Sequence, residues 1–308
     1  MNTSTVIDVP DAFAASYGTE GAEARVWLAG LPVLGGSFLD RWELRLDGPT
    51  RWGMASLALP VRRADGTPAV LKLQQAREES SGVIPGLLLW RGDGIVRLID
   101  HDEATATQLL ERLDANRPLS AVTDEDSAVG ILAELLARLT SVPAPAGLRR
   151  LSDIAAAMVD ETPGAVPALR DPAERKLVET CASAVAELMG EAGDRLLHWD
   201  LHGDNVLAGE REPWLAIDPE PLAGDPGFDL LPGIDDRWEA VVASGDITRA
   251  VLRRFDRLAE AVGADSRRAV GWTLGRVLQN ALWDIEDGKH VLEPNQVLIA
   301  RALLEHRG

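Results

Sequence analysis

The sequence predicts an α+β protein of two lobes, β-rich up to about residue 113 and mainly helical over 114–308. Three observations carry that expectation. Short apolar or alternating segments, separated by turn residues, crowd the first 113 positions. Beyond them, apolar residues recur at helical spacing. The length, 308 residues, suits one large domain or two lobes with a sizeable core and no need of disulfides or metals.

The first forty residues read as polar and helical, with Pro10 near the first start signal. Residues 42–46 alternate, as a half-buried strand does, and Asp47-Gly48-Pro49 is a turn. A second strand is expected at 55–61 and a third at 69–73. The Asp65-Gly66 pair between them is a tight-hairpin signal. Two more strands are expected at 95–99 and 106–113. The pattern then changes. Thr123, with Asp126 three residues on, is a helix start, and Val129, Leu132, Leu135, Leu136 and Leu139 share one face until Pro143. Pro172 opens a helix to about Met189, and from Trp238 onward nearly everything reads as helix. A cleft where the lobes meet is the expected ligand site.

Charge and cysteine content narrow the function. Asp and Glu number 49 against 31 Lys and Arg, a formal charge of −18. Such a field repels a phosphate backbone, which argues against nucleic acid, and favours a cationic partner or plain solubility. Cys181 is the only cysteine, so no intramolecular disulfide or Cys-rich zinc site forms, and its apolar surroundings predict a buried, inert thiol. No basic segment leads into an apolar run, and no stretch of eighteen apolar residues occurs, so a cytoplasmic protein without a membrane span is expected. A monomer is the default state.

One segment interrupts the helical half. His198-Trp199-Asp200-Leu201-His202-Gly203-Asp204-Asn205 is a polar knot between apolar runs, and Trp214-Leu215-Ala216-Ile217-Asp218 follows soon after. Polar groups packed between apolar anchors are costly unless paired or functional. The knot matches the protein-kinase loop His-Arg-Asp-Leu-x-x-x-Asn, with Trp199 in place of Arg. Phosphoryl transfer needs an Asp to orient the attacking hydroxyl, an Asn to ligate Mg²⁺, and a second Asp to hold Mg²⁺ against the phosphates. Asp200, Asn205 and Asp218 supply these in order. Lys72 in Ala69-Val70-Leu71-Lys72 matches the strand lysine that grips the nucleotide phosphates. A rival reading takes His198, Asp200 and His202 as ligands of a transition metal in a hydrolase, and leaves Lys72 and Asn205 without a role.

The His-x-Asp-Leu-His-x-x-Asn loop, together with the stretch from Ile217 through Gly224-Asp225-Pro226 to Leu230, resembles the aminoglycoside phosphotransferase family. Within it the likeness is to the streptidine-directed 6-phosphotransferases. Supporting stretches are Asp40-Arg41-Trp42-Glu43-Leu44, Leu88-Leu89-Trp90-Arg91-Gly92 and Leu278-Gln279-Asn280-Ala281-Leu282-Trp283-Asp284. The resemblance covers essentially the whole chain. It implies a protein-kinase-like fold, with 1–113 as the nucleotide-binding lobe and 114–308 as the catalytic and substrate-binding lobe. It implies ATP and Mg²⁺, Asp200 as catalytic base, Asn205 and Asp218 as metal ligands, and Lys72 on the phosphates. Glu111-Arg112-Leu113 resembles the hinge, whose backbone at Glu111 and Leu113 would meet the adenine edge. Asp225 resembles the buried aspartate that orders the loop after the metal-binding strand.

The chain departs from the pattern in two places. It has no Gly-x-Gly-x-x-Gly, so the segment from Gly48 through Gly53 to Ser56 must cover the phosphates. No glutamate partner for Lys72 is evident, Glu78 and Glu79 being the nearest. Between Asp218 and Trp238 there is no Ala-Pro-Glu and no Ser, Thr or Tyr, so a small-molecule acceptor fits better than a protein. The acidic residues on this side, with Glu220, Asp235 and Asp284 as the leading candidates, suit a polycationic alcohol such as streptomycin, since carboxylates bind guanidinium groups bidentately. The implied activity is phosphorylation of the streptidine 6-hydroxyl. The alternative is another aminoglycoside or a hydroxylated or hydroxamate compound such as hydroxyurea. Trp238, Trp272 and Trp283 are expected in the helical core.

Overall fold

The computed structural model describes residues 7–77 and 80–306. Its chain divides into two compact units, one of residues up to Gly92 with Val96–Leu113, the other of Asp93–Ile95 with Asp114 onward.

In the first unit, α1 (Asp11–Tyr17) and α2 (Ala22–Arg41) precede a sheet of β1 (Arg45–Leu46), β2 (Arg51–Trp52), β3 (Ser56–Arg62), β4 (Pro68–Gln74), β5 (Leu98–Asp102) and β6 (Thr107–Glu111), with α3 (Val83–Trp90) between β4 and β5. The order is β1-β3-β4-β6-β5, with β2 also on β3, and every pair is antiparallel. The expected Asp65-Gly66 turn joins β3 to β4, with Gly66 at φ 84°, where an L side chain is strained. The two leading helices are less polar than expected. Phe13, Tyr17, Leu31 and Phe38 share one core with Leu57, Leu59, Leu71, Leu73 and Leu109 of the sheet.

Two strand expectations shift. The one at 42–46 begins only at Arg45, because α2 runs to Arg41 and Glu43 takes a left-handed φ of 52°. The one at 95–99 is displaced to β5. Ile95 leaves the sheet and bridges Ala216 in the second unit, while β5 is a half-buried edge strand whose Asp100 and Asp102 hide it from an apolar pattern.

The second unit holds β7 (Asp114–Pro118), α4 (Glu125–Thr140), α5 (Leu151–Ala165), α6 (Pro172–Leu188), β8 (Arg195–Leu197), β9 (Val206–Ala208), β10 (Trp214–Ala216), β11 (Leu222–Gly224), α7 (Leu230–Asp235), α8 (Trp238–Ala243), α9 (Ile247–Ala261), α10 (Ser266–Glu286) and α11 (Pro294–His306). Asp124, Asp171, Asp246 and Asp265 cap α4, α6, α9 and α10 through their carboxylates, so part of the negative charge has a local structural use. The long α10 is buried along most of its length and packs on α6 and on the turn before α7. Trp272 is fully buried there, as expected, whereas Trp283 is 46% exposed. Cys181 is buried, which pushes its thiol up to about 12, so it is inert at neutral pH.

Candidate active site

Two short antiparallel pairs clamp the polar knot. β8 pairs with β11, Leu197 opposite Leu222, and β9 pairs with β10, Val206 opposite Ala216. The ladders continue into the loops. Glu220 N–H donates to His198 O at 3.0 Å, and Ile217 N–H donates to Asn205 O at 2.8 Å. Residues 198–205 and 217–221 therefore run side by side, which brings Asn205 to the residue preceding Asp218. Asp218 itself holds φ at 55°, a left-handed conformation that a non-glycine residue keeps only where its surroundings over-determine it.

His198 is fully buried and holds the two segments together. Its Nε2 lies 3.0 Å from Ile217 O, and its Nδ1 accepts Asp200 N–H at 3.3 Å. The matching state is the neutral Nε2–H tautomer, and burial keeps it so by lowering the imidazole to about 4. Both ring nitrogens are thus engaged, so the transition-metal reading of this segment fails.

A stability consequence follows. An unfolded histidine titrates near ~6.5. The folded chain binds fewer protons between that value and about 4, so this contribution is present above ~6.5 and is lost as pH falls toward 4. The full effect is on the order of 3 kcal/mol. In His198→Gln, the drop in urea midpoint between pH 7.5 and pH 5 is expected to be smaller than in wild type. Equal drops would remove His198 as a source.

The turn that follows hangs on Asp229. This carboxylate is buried and accepts His198 N–H at 2.8 Å and Trp199 N–H at 2.7 Å. Burial pushes it up to about 7, opposed by the two N–H groups and by Arg276. With both amides so fixed, Trp199 turns left-handed at φ 70°, and the chain reverses to present Asp200. Asp225, expected to order this region, caps the turn through Gly227 N–H at 2.8 Å and pairs with Arg268 at 2.9 Å. The carboxylate bonded to the catalytic-loop backbone is Asp229, four residues on.

Asp200 is half-buried. Burial would raise its carboxyl, but hydrogen bonding and charge from His202, with His198 and Arg276 behind, bring it below the usual carboxylate range. His202 Nε2 is 3.5 Å from Asp200 Oδ2. Asn205 Nδ2 donates to Asp200 O at 2.9 Å and to Oδ2 at 3.1 Å. The Asn205 amide nitrogen is committed by these bonds, which leaves its Oδ1 as the group to offer a cation beside Asp218. An amide oxygen and a carboxylate are hard donors, and suit magnesium better than a soft transition metal.

Beside this loop, within the second unit, lies a cavity of about 330 Å³ lined by residues that include Asp200, His202, Asp235, Asp236, Arg237, Arg276 and Asn280, with Arg237 Nε 3.6 Å from Asp236 Oδ2. Asp235 accepts from Asn295 Nδ2 at 2.5 Å. Desolvation raises the carboxyls of both Asp235 and Asp236, as it does for acids held near one another out of water. The other two acceptor-side candidates stand apart from this lining. Asp284 is bound by Lys289 at 2.7 Å, and Glu220 is an exposed residue of the loop. Asp229 and Asp236 are among the acidic residues the sequence places on this side, outside its three leading candidates, and Arg276 is not expected there from sequence. The signal for Asp229 was a lone carboxylate in the apolar run Phe228-Asp229-Leu230-Leu231, which must be paired to be buried.

The first unit carries the nucleotide-side candidates. Lys72 is buried on β4, between Ala58 of β3 and Gln108 of β6. Glu78 and Glu79, its proposed partners, lie outside the described residues. Ser56 begins β3 after a turn closed by Gly53 N–H on Ser56 O at 3.0 Å. Glu111 N–H donates to Arg97 O at 3.0 Å, and Glu111 Oε1 accepts Arg97 N–H at 2.7 Å. That amide is spent on Arg97. Arg112 ties the segment back through Asp47 at 2.7 Å and Ala69 O at 3.2 Å.

This combination of an antiparallel sheet unit, a helical unit and a clamped Asp/Asn/Asp loop defines a kinase-like phosphotransferase fold. A thermostable mutant of aminoglycoside phosphotransferase APH(4)-Ia, solved as a ternary complex, matches it with a TM-score of 0.55 at 16% identity, over 86% of this chain and 94% of that one. Sequence carries the assignment further. The family described as aminoglycoside/hydroxyurea antibiotic resistance kinase matches residues 41–288, and the chain belongs to it. A streptomycin 6-kinase of Streptomyces glaucescens is 61% identical over 307 residues, 99% of this chain and 100% of its own length. A hydroxyurea phosphotransferase of Kitasatospora aureofaciens is 52% identical over 290 residues, 94% of this chain and 83% of its own length.

Proposed function

We propose that this protein transfers the γ-phosphoryl group of ATP to the 6-hydroxyl of the streptidine ring of streptomycin, inactivating the drug. The observation that carries the reading is the carboxylate-lined cavity in which Asp235 and Asp236 stand with Asp200. The streptidine ring bears two guanidinium groups, and carboxylates are their natural partners. The relative from Streptomyces glaucescens, which bears the name streptomycin 6-kinase and aligns end to end, supports the same acceptor. The APH(4)-Ia complex holds AMP-PNP and hygromycin B, which supports ATP as donor.

Asp200 orients the acceptor hydroxyl and takes its proton as the new O–P bond forms and the bond from Pγ to the β-phosphate oxygen breaks, leaving ADP. His202 and the Asn205 amide hold the Asp200 carboxylate in place. Asn205 Oδ1 and Asp218 are the groups that would hold magnesium. Bound there, the ion neutralises charge on the β- and γ-phosphates. Lys72 grips the α- and β-phosphates, Ser56 and its turn cover them, and Leu113, with Glu111 beside it, meets the adenine edge. Among the described residues no helix is long and apolar enough to cross a membrane, and use of ATP as donor fits a cytoplasmic enzyme.

Hydroxyurea is the second reading, favoured by the Kitasatospora aureofaciens relative. It is small and uncharged, and has no guanidinium group to pair with Asp235 and Asp236. ADP release over a panel of streptomycin, streptidine, other aminoglycosides and hydroxyurea separates the two. Turnover is expected with streptomycin. Turnover of hydroxyurea alone would overturn the substrate while leaving the kinase chemistry intact.

A further inference from the structure

Arg276 sits on α10 and lines the same cavity as Asp200, yet is only 7% exposed. Its Nη1 donates to Gln279 Oε1 at 3.0 Å, one turn along the helix. Its Nε is buried without a hydrogen-bond partner among the described residues. Three aromatic rings enclose it. Its Cζ lies 5.1 Å from the ring centre of Trp199, 5.6 Å from Trp283 and 5.7 Å from Phe228. The other nearby arginine in this stack, Arg149, lies 4.4 Å from the Trp199 ring.

A buried cation without a bidentate carboxylate is expensive, and an apolar side chain of similar length would fill the same cage at less cost. The charge therefore has a use. Burial lowers this guanidinium to about 10, while Asp200, Asp229 and Glu220 favour its charged form, so it is a cation at neutral pH. In the part of the cavity it shares with Asp200, it offsets the charge of that carboxylate. Asp235 and Asp236, the latter with Arg237 at 3.6 Å, line another part. Cation–π contact with Trp199 also bears on the residue whose left-handed turn delivers Asp200.

We infer that Arg276 is a positioning residue. Through Trp199 it fixes the turn that presents Asp200, and its charge offsets that of the Asp200 carboxylate, so that the base meets a neutral hydroxyl rather than a guanidinium group. The inference rests on streptomycin being the acceptor. Wild-type turnover of streptomycin tests that reading by itself, and the Arg276 variants are then compared with it.

The variants are Arg276→Met, which keeps length and loses charge, and Arg276→Lys, which keeps charge and loses the planar stack. Each is measured for kcat and streptomycin KM by ADP release, with thermal unfolding as a check on folding. Misplacing a reacting group by about 1 Å costs on the order of 10²-fold. Arg276→Met is expected to lose ~30-fold or more in kcat, with KM unchanged or lower because Asp200, without its offsetting cation, attracts a guanidinium group more strongly. Arg276→Lys should recover at least ~3-fold of that loss. Wild-type kcat in folded Arg276→Met, a raised KM at unchanged kcat, or no recovery by lysine would overturn the inference. If Arg276→Met does not fold, Arg276→Lys decides. A kcat lowered by ~3-fold or more at unchanged KM supports the role, and wild-type kcat or a raised KM in folded protein overturns it.

Discussion

Asp200→Asn is expected to lower kcat by at least ~10²-fold while leaving nucleotide affinity nearly unchanged, the signature of removing a general base. The substitution keeps the shape of the side chain, and the Asp200 backbone O still accepts from Asn205. What disappears is the negative charge that His202, Arg276 and burial are balanced around, and with it the lone pair that takes the hydroxyl proton. The measurement is steady-state ADP release with streptomycin, paired with a fluorescence titration of ATP binding. Turnover within ~5-fold of wild type would show that Asp200 is not the base.

Asp229→Ala should have the largest effect on stability. Asp229 touches no substrate in this account, but it satisfies two buried amides at once and faces the buried charge of Arg276. Alanine orphans both amides, each worth about 1–3 kcal/mol, and leaves a buried cation with one counter-charge fewer. A loss of about 3–5 kcal/mol is expected, a large part of the ~5–15 kcal/mol that holds a typical domain. Asp229→Asn retains one acceptor but aims an N–H₂ at the second amide, so it should fall between wild type and alanine. Urea unfolding gives the order, and kcat should fall in step because Trp199 is no longer held in its turn. A shift below ~1 kcal/mol for alanine would mean that the loop is held by something else.

These two residues show what can and cannot be read from a chain of letters. Asp200, Asn205 and Asp218 were legible because phosphoryl transfer fixes their spacing, and β8, β9 and β10 around them were visible as apolar runs. The sheet strands β3, β4 and β6 were legible because both their faces are largely buried, apolar residues dominate β3 and β4, and Leu109-Leu110 centres β6. β7 was not, since Asp114-Ala115-Asn116-Arg117-Pro118 is polar and mostly exposed, and β11 is three residues long. α5 was not legible because its buried stripe, Leu151, Ala155, Met158 and Thr162, is sparse and the helix carries Pro163.

The acceptor side was the hardest part. Charge content pointed to a cationic acceptor, but which carboxylates share a cavity is decided by tertiary packing. Asp235 and its neighbour Asp236 are in that lining, whereas Asp284 is paired with Lys289. Arg276 and Asp229 act on residues 198–200 from distant positions in the chain. No local pattern reports such a contact. Only the physical anomaly of a charge in an apolar run hints at it.

The central claim is the chemical identity of the product. Purified protein, ATP, Mg²⁺ and streptomycin, followed by phosphorus and proton NMR of the isolated product, test it most directly. The account predicts one phosphate ester on the 6-oxygen of the streptidine ring and one ADP per ester formed. A phosphate on any other hydroxyl of the drug, or ADP released without phosphorylated drug, would contradict it.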